Sequence, residues 1–314
     1  MTNSPVILHL VDSIEYVENN CFQHQLTKAL QKIPGVRTVA LSELASLPYT
    51  YDRVVCCLKQ RTLFKYAERL TEWIGPCPVV VYDQDPWQAY MDDSPFKGTY
   101  ELARKHLNIT SFALTTQLWA DFLFHRNVPS MFVRMSVLPE YCDVGPKFEE
   151  RSIPLGFIGT IHPHRKKLFD ELDEMEIQVN VQMGNTLDYQ RYLKALSNIR
   201  VFIHSEDSSI QVDGEEMNLR DGLWIKDVEA ASRGCFSVRN AAGGYLSYFD
   251  EFPQVDGHRM VRMYKRVSDI PRILADIERM DPQMRQDLIH RTVDYIKRSD
   301  RWQETALALT TCKF

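Results

Sequence analysis

The chain has 314 residues with 37 Lys and Arg against 42 Asp and Glu, and its formal net charge of −5 gives no broad electrostatic ground for binding nucleic acid or an anionic membrane. Apolar residues make up 44% and charged residues 25%, the proportions of a soluble globular protein long enough for two ordinary domains. No apolar run approaches the ~20 residues of a membrane span, the early apolar run lacks a signal peptide's basic flank, and seven cysteines without a C-x-x-C indicate neither a disulfide framework nor a zinc site. The expected compartment is the cytoplasm.

In chain order, residues 6–11 form a short apolar strand ending in Asp12-Ser13, followed by a helix from about Asn19 with Phe22, Leu26, Leu30 and Ile33 at helical spacing. Strands are predicted at 36–41 and 53–58, then a helix at 64–74. The run Pro78 to Tyr82 is β-branched almost throughout, as a parallel strand buried on both faces requires, and it ends in Asp83-Gln84-Asp85-Pro86. The alternation continues with a helix near 100–106, a strand at 111–114, a helix at 116–125 and a strand at 131–137. Prolines, Gly145 and charge over 138–153 break the rhythm and predict a linker. A second alternation follows: strand 155–158, a Gly159-Thr160 turn, helix 164–175, strand 177–182, helix 189–196, strand 201–204, a polar loop at 205–209 and a helix ending at Gly234. Three helices close the chain at 270–280, 282–298 and 301–309. The pattern predicts an α/β protein of two doubly wound domains.

In open parallel sheets, ligands bind beyond the carboxyl ends of the strands. Four polar clusters occupy such ends: Asp12-Ser13, Asp83 with Asp85, residues 159–167, and residues 218–250. Two fall in each domain, so a ligand held by all four would lie in a cleft between the domains. Arg165 and Lys166 stand in the first turn of a helix after the Gly159-Thr160 turn, a position unfavourable to the helix dipole unless an anion is bound there. Lys226 adds a charge to the last cluster. Glu229 can accept hydrogen bonds from sugar or ribose hydroxyls, and Gly243-Gly244 forms a small-residue turn suited to a phosphate. The plain alternative is an ordinary αβα unit with solvated charges. Asp83-x-Asp85 can hold a divalent cation, act on a substrate hydroxyl, or simply start a turn. His162-x-His164 lacks a third ligand at matching spacing.

Several pieces agree with one family in order: Leu8 to Asp12, Tyr82-Asp83-Gln84-Asp85-Pro86, Phe157-Ile158-Gly159-Thr160 followed by Arg165, Tyr189 to Leu196, and Glu229-Ala230-Ala231-Ser232-Arg233-Gly234-Cys235. Together they resemble the two-domain glycosyltransferases of the GT-B fold, and within them the CgeB-like branch. The resemblance implies two Rossmann-like domains: residues 1–145 on the acceptor side, 146–298 on the nucleotide-sugar side, and a helix at 299–314 crossing back to the first. It implies metal-independent sugar transfer with no cofactor, the nucleotide sugar being a substrate. The acceptor is undefined among glycans, proteins, small molecules and modified nucleobases. By the resemblance Glu229 binds the donor's ribose, and Lys226 and Arg165 bind its diphosphate beside Gly159, Gly243 and Gly244. Thr160 stands where many relatives carry arginine, with Lys166 as the replacement. Asp221 and Glu229 have the spacing of the retaining members' acid pair, although Asp221 departs from the usual glutamate. Asp83, with Asp85 and Asp12, supplies the candidate catalytic acids of the first domain. Two rivals stand beside this reading: a single-domain, metal-dependent GT-A-type glycosyltransferase using Asp83 and Asp85, and a non-catalytic two-domain binder of a phosphorylated ligand.

Overall fold

The computed structural model describes residues 6–19, 21–47, 51–183, 187–206, 209–218, 225–240 and 247–311. It begins with β1 (Ile7–Val11), buried at every position, including His9, whose ring nitrogen lies 3.1 Å from Thr38 Oγ1. Burial pushes that imidazole down to about 3, so it is held neutral in the sheet. Then come α1 (Ile14–Asn19), α2 (Cys21–Gln31), β2 (Val36–Ala40), α3 (Leu41–Leu44), β3 (Arg53–Cys57), α4 (Gln60–Ile74), β4 (Val79–Asp83), α5 (Thr99–His106), β5 (Ile109–Leu114), α6 (Gln117–His125) and β6 (Ser130–Phe132). The strands pair in parallel in the order β2-β1-β3-β4-β5-β6. β4 is buried along its whole length, as its β-branched run demands.

The second sheet is built from β7 (Ile153–Ile158), α7 (Pro163–Glu174), β8 (Asn180–Gln182), α8 (Tyr189–Leu196) and β9 (Ile199–His204). After a two-stranded excursion, β10 (Ser209–Val212) and β11 (Glu215–Asn218), it resumes with α9 (Ile225–Ser232), β12 (Phe236–Asn240), α10 (Ser247–Asp250), β13 (Val261–Tyr264), α11 (Ile270–Arg279) and α12 (Pro282–Ser299). Its parallel order is β8-β7-β9-β12-β13. Numbered within its own half, this is second, first, third, fourth, fifth, and the first sheet runs in the same sense with β6 added. In both, the first strand lies between the second and the third, so chain direction reverses there and opens a crevice at the carboxyl ends.

The chain divides into two compact units, residues 1–135 with 209–217 and 301–314, and residues 136–208 with 218–300. The expected linker at 138–153 is part of the second unit. Buried Arg151 locks it there through Nη2 to the carbonyls of Val144 at 2.7 Å and Arg233 at 3.0 Å, and Nη1 to that of Ile199 at 3.0 Å. Gly234, at φ +73°, allows this approach, because a Cβ there would stand 2.5 Å from both Arg151 Nη2 and Val144 O. The excursion follows the expected polar loop at 205–209 and was not itself expected. Its Asp213-Gly214 turn has positive φ at both residues, the geometry of a two-residue hairpin, and Asp92 receives the N–H groups of both. Lys97 and Arg126 pair with Asp213. No helix among the described residues is long and apolar enough to cross a membrane.

The last helix, α13 (Arg301–Thr311), leaves α12 at Asp300, which is left-handed at φ +35°, and packs on α2 and β3 in the first unit. Trp302, Ala306 and Leu309 are fully buried, and Thr305 Oγ1 donates to Arg134 O at 2.8 Å. Trp302→Ala is therefore expected to destabilise the protein by about 3–5 kcal/mol in denaturant unfolding. Leu307→Ala on the exposed face should change stability by no more than about 0.5 kcal/mol. Equal stability of the two variants would show that α13 does not carry its unit.

Candidate functional site

In the second unit the crevice between β7 and β9 is spanned by one side chain. Arg165, one turn into α7 and 4% exposed, donates from Nη1 to Thr160 O at 2.8 Å, from Nε to Ser205 O at 3.3 Å and from Nη2 to the carboxylate of Glu206. It thus ties the turn after β7 to the turn after β9. Phe157 lies beneath the guanidinium, 5.3 Å away. From α9, Lys226 reaches the end of β7, its Nζ 3.0 Å from Ile158 O. Gly159, at φ +156°, gives it room: a Cβ built there would stand 3.0 Å from both Lys226 Nζ and the Phe157 ring. Glu229, one turn along α9 and buried, accepts from Tyr192 OH at 2.9 Å.

Beneath this lies a continuous line of buried charge. Glu206 Oε1 meets both Arg165 and His204 Nε2, the latter at 2.6 Å; His204 Nδ1 lies 3.1 Å from Asp227 Oδ2, and Arg239 Nη1 donates to the same oxygen at 2.8 Å. Ser237 Oγ donates to Asp227 Oδ1 at 2.7 Å, and Asn240 Oδ1 accepts from the Glu206 N–H at 2.9 Å. Burial alone would push the Asp227 carboxyl up, but Arg239, then His204 and Ser237, hold it below its ordinary value. Acids and bases alternate from the β7 end to β12, which lets so many ionisable groups remain inside.

The first unit carries a cavity of about 230 Å³ at the matching crevice, lined by residues that follow β1, β3 and β4. Asp83, at the end of β4, is buried and accepts from Gln60 Nε2 at 2.5 Å, Tyr100 OH at 2.9 Å and the Asp85 N–H at 2.8 Å. Burial raises its carboxyl above the ordinary value, against the pull of those three donors and of the Gln84 backbone. Tyr100 is fixed in turn by stacking on Phe112, ring centroids 4.0 Å apart.

The expected residues divide by where they fall. Gly159, Thr160, Arg165, Lys226 and Glu229 gather around the β7 end, and Asp83 and Asp85 line the cavity of the first unit. Asp12 does not line that cavity. Its oxygens receive the Lys59 N–H at 2.9 Å and Thr62 Oγ1 at 2.5 Å, so it anchors the start of α4. Lys166 points outward, 68% exposed, in an i,i+4 pair with Asp170, because the 100° step from Arg165 carries it off the buried face. Asp221, Gly243 and Gly244 lie outside the described residues. Glu206, His204, Asp227 and Arg239 were not anticipated. The one signal, and for the first two alone, was His204-Ser205-Glu206-Asp207 at a strand end.

No family model and no curated protein matches this sequence. Among solved structures the chain is similar to one described as trehalose-6-phosphate from E. coli bound with UDP-2-fluoro glucose, with a TM-score of 0.58 and 10% identity over 98% of this chain and 99% of that one. It is also similar to an α,α-trehalose-phosphate synthase (UDP-forming) from Burkholderia vietnamiensis, with a TM-score of 0.55 and 11% identity over 96% and 84% of the two chains. At such identity the likeness speaks for the fold. The chain has the GT-B fold, two Rossmann-like doubly wound units with the C-terminal helix returned to the first.

Proposed function

We propose that the protein is a glycosyltransferase of the CgeB-like kind that moves a sugar from a nucleoside-diphosphate sugar to an acceptor hydroxyl without a metal ion. The observation that carries this reading is Lys226, its ammonium seated against Gly159 and Ile158 O at the carboxyl end of a central strand, beside the crevice that Arg165 spans. A fixed cation and the backbone of a tight turn are what a departing diphosphate needs. In the reaction the acceptor's hydroxyl oxygen bonds to the anomeric carbon, the bond from that carbon to the β-phosphate oxygen breaks, and the nucleoside diphosphate leaves with the electron pair.

Lys226 and the Gly159-Thr160 turn would meet the diphosphate, with Arg165 holding the turn from below. Glu229, one oxygen already oriented by Tyr192, would accept from a ribose hydroxyl. By the resemblance, Asp221, Gly243 and Gly244 complete the donor site, and the spacing of Asp221 and Glu229 favours retention of configuration. Asp83, whose carboxyl burial raises above the ordinary value, is placed beside the cavity to take the proton of an acceptor hydroxyl. Asp85 holds the backbone turn beside it. Two sheets of matching topology speak against the single-domain rival.

Release of nucleoside diphosphate from a panel of nucleotide sugars, with and without chelator, tests the reading. Turnover should persist in chelator; its absence with every donor would leave a binder. Lys226→Ala should lose roughly 2–4 kcal/mol of transition-state stabilisation in kcat/KM with little change in melting temperature. Arg165→Ala should behave differently and cost about 3–5 kcal/mol of stability, since it strands Glu206 as a buried charge.

Asp83→Asn separates activity from stability. Its folded-state pKa is raised above the unfolded value, so the carboxyl's contribution to stability is full below the ordinary value and lost as pH rises through the raised one. At pH 7 Asp83→Asn should melt no lower than the parent while turnover falls by about 10²–10⁴-fold. In the parent, turnover should fall as pH drops through the raised pKa. A variant with full activity and a flat profile would remove Asp83 from the chemistry.

A further inference from the structure

We propose that the cavity of the first unit is the acceptor site and that its acceptor is an acidic sugar, a hydroxylated ring whose carboxylate or phosphate is held by Lys59 and Arg61. The proposal rests on the glycosyltransferase reading and names the substrate class for it. The cavity's size is the first argument. At about 230 Å³ it lies below the roughly 300–1,000 Å³ of pockets for drug-sized ligands, which suits a single ring.

The lining is polar in a particular way. Four glutamines face the cavity, Gln23, Gln60, Gln84 and Gln88, together with Asp83. Planar amides each offer donors and an acceptor side by side, as neighbouring ring hydroxyls do. Gln60 is 4% exposed, gives Nε2 to Asp83 and keeps a buried carbonyl oxygen with no partner. An acceptor hydroxyl between Gln60 and Asp83 would supply the missing donor. Tyr16, Phe22 and Phe96 add aromatic faces for the apolar side of a ring.

The cavity's charge is divided. Its acids stand at the β4 end, whereas Lys59 and Arg61 stand at the start of α4, and among the described residues neither cation is in an ion pair. Arg61 is exposed, but Lys59 is partly buried, its Nζ 3.4 Å from the centroid of the Tyr16 ring. Desolvation holds its amine below the ordinary lysine value even with Asp12 nearby. The backbone of Lys59 is fixed by Asp12, so the side chain starts from a set point and is not a loose surface charge. A neutral sugar would satisfy the amides but bring no charge to this cation, which among the described residues forms no direct ion pair. An acidic one satisfies both ends at once.

The test is equilibrium binding to the full chain, by calorimetry, of a neutral hexose, the corresponding uronic acid, the corresponding hexose phosphate and inorganic phosphate. At least one acidic sugar should bind at least about tenfold tighter than both the neutral hexose and inorganic phosphate, and the two acidic arms tell carboxylate from phosphate. Lys59→Ala and Arg61→Ala should each remove about tenfold of that affinity while leaving nucleoside-diphosphate binding unchanged. Gln60→Leu should weaken the neutral and acidic sugars alike. Neutral hexose binding as tightly as its acidic forms, inorganic phosphate binding as tightly as the sugar, or no loss in either cation variant would overturn the proposal. Failure of every nucleoside diphosphate to bind would instead overturn the glycosyltransferase reading on which it rests.

Discussion

The carboxyl-end crevice of the second unit depends on keeping the charge of Arg165 inside the protein. A guanidinium 4% exposed is costly unless its fork is filled, and here it is filled by two backbone carbonyls and one carboxylate. The carboxylate, Glu206, is fully buried and passes the same requirement on to His204, then to Asp227, then to Arg239. Each member is tolerable only because of the next. The consequence at the surface is geometric: two turns on different strands are fixed relative to each other, and Lys226 is presented over one of them.

The two units answer the same topological situation differently. Both place their first strand between the second and third, and both therefore open a crevice at the carboxyl ends. In the second unit the Arg165 fork and its buried partners fill it, with Lys226 reaching the end of β7 beside them. In the first unit Asp83 is held by neutral donors, Gln60, Tyr100 and a backbone N–H, and the crevice remains a cavity. A carboxylate held by neutral donors keeps a raised proton affinity, whereas one paired with arginine, like Asp227, loses it. The surroundings therefore give two buried acids, Asp83 and Asp227, opposite proton affinities.

The sheets were legible in the sequence because their signal is local: β4 announces itself by Pro78 to Tyr82, and α13 by Trp302, Ala306 and Leu309 on one face. The strand ends beside Arg165 and Lys226 were legible too, but not that the Arg165 fork, expected to meet a diphosphate, is filled by protein groups. What stayed hidden depends on partners distant in sequence. Asp227 looks like the solvated neighbour of Lys226 until β9 and β12 bring His204, Ser237 and Arg239 around it. Lys166 and Arg165 are equivalent as composition, and only the helix rotation separates a surface pair from a buried fork. The hairpin at Asp213-Gly214 is a different case, because Val-Asp-Gly-Glu carries the local turn signal plainly although no strand pair was expected there.

The first unit is assembled from three separate stretches of chain, and this constrains how it forms. Residues 1–135 supply the sheet, but the Asp92 carboxylate waits for the N–H groups of Asp213 and Gly214, and α2 waits for α13. Closing such long loops costs little more free energy than closing short ones, because the entropy grows only with the logarithm of length. The cost falls on the rate, since contacts so distant in sequence come late in folding. Until they come, the apolar face of α2 with Leu26 and Leu30 has no cover from α13. The apolar stripe of Trp302, Ala306 and Leu309 is wholly buried, and through it a segment distant in sequence completes the packing of α2.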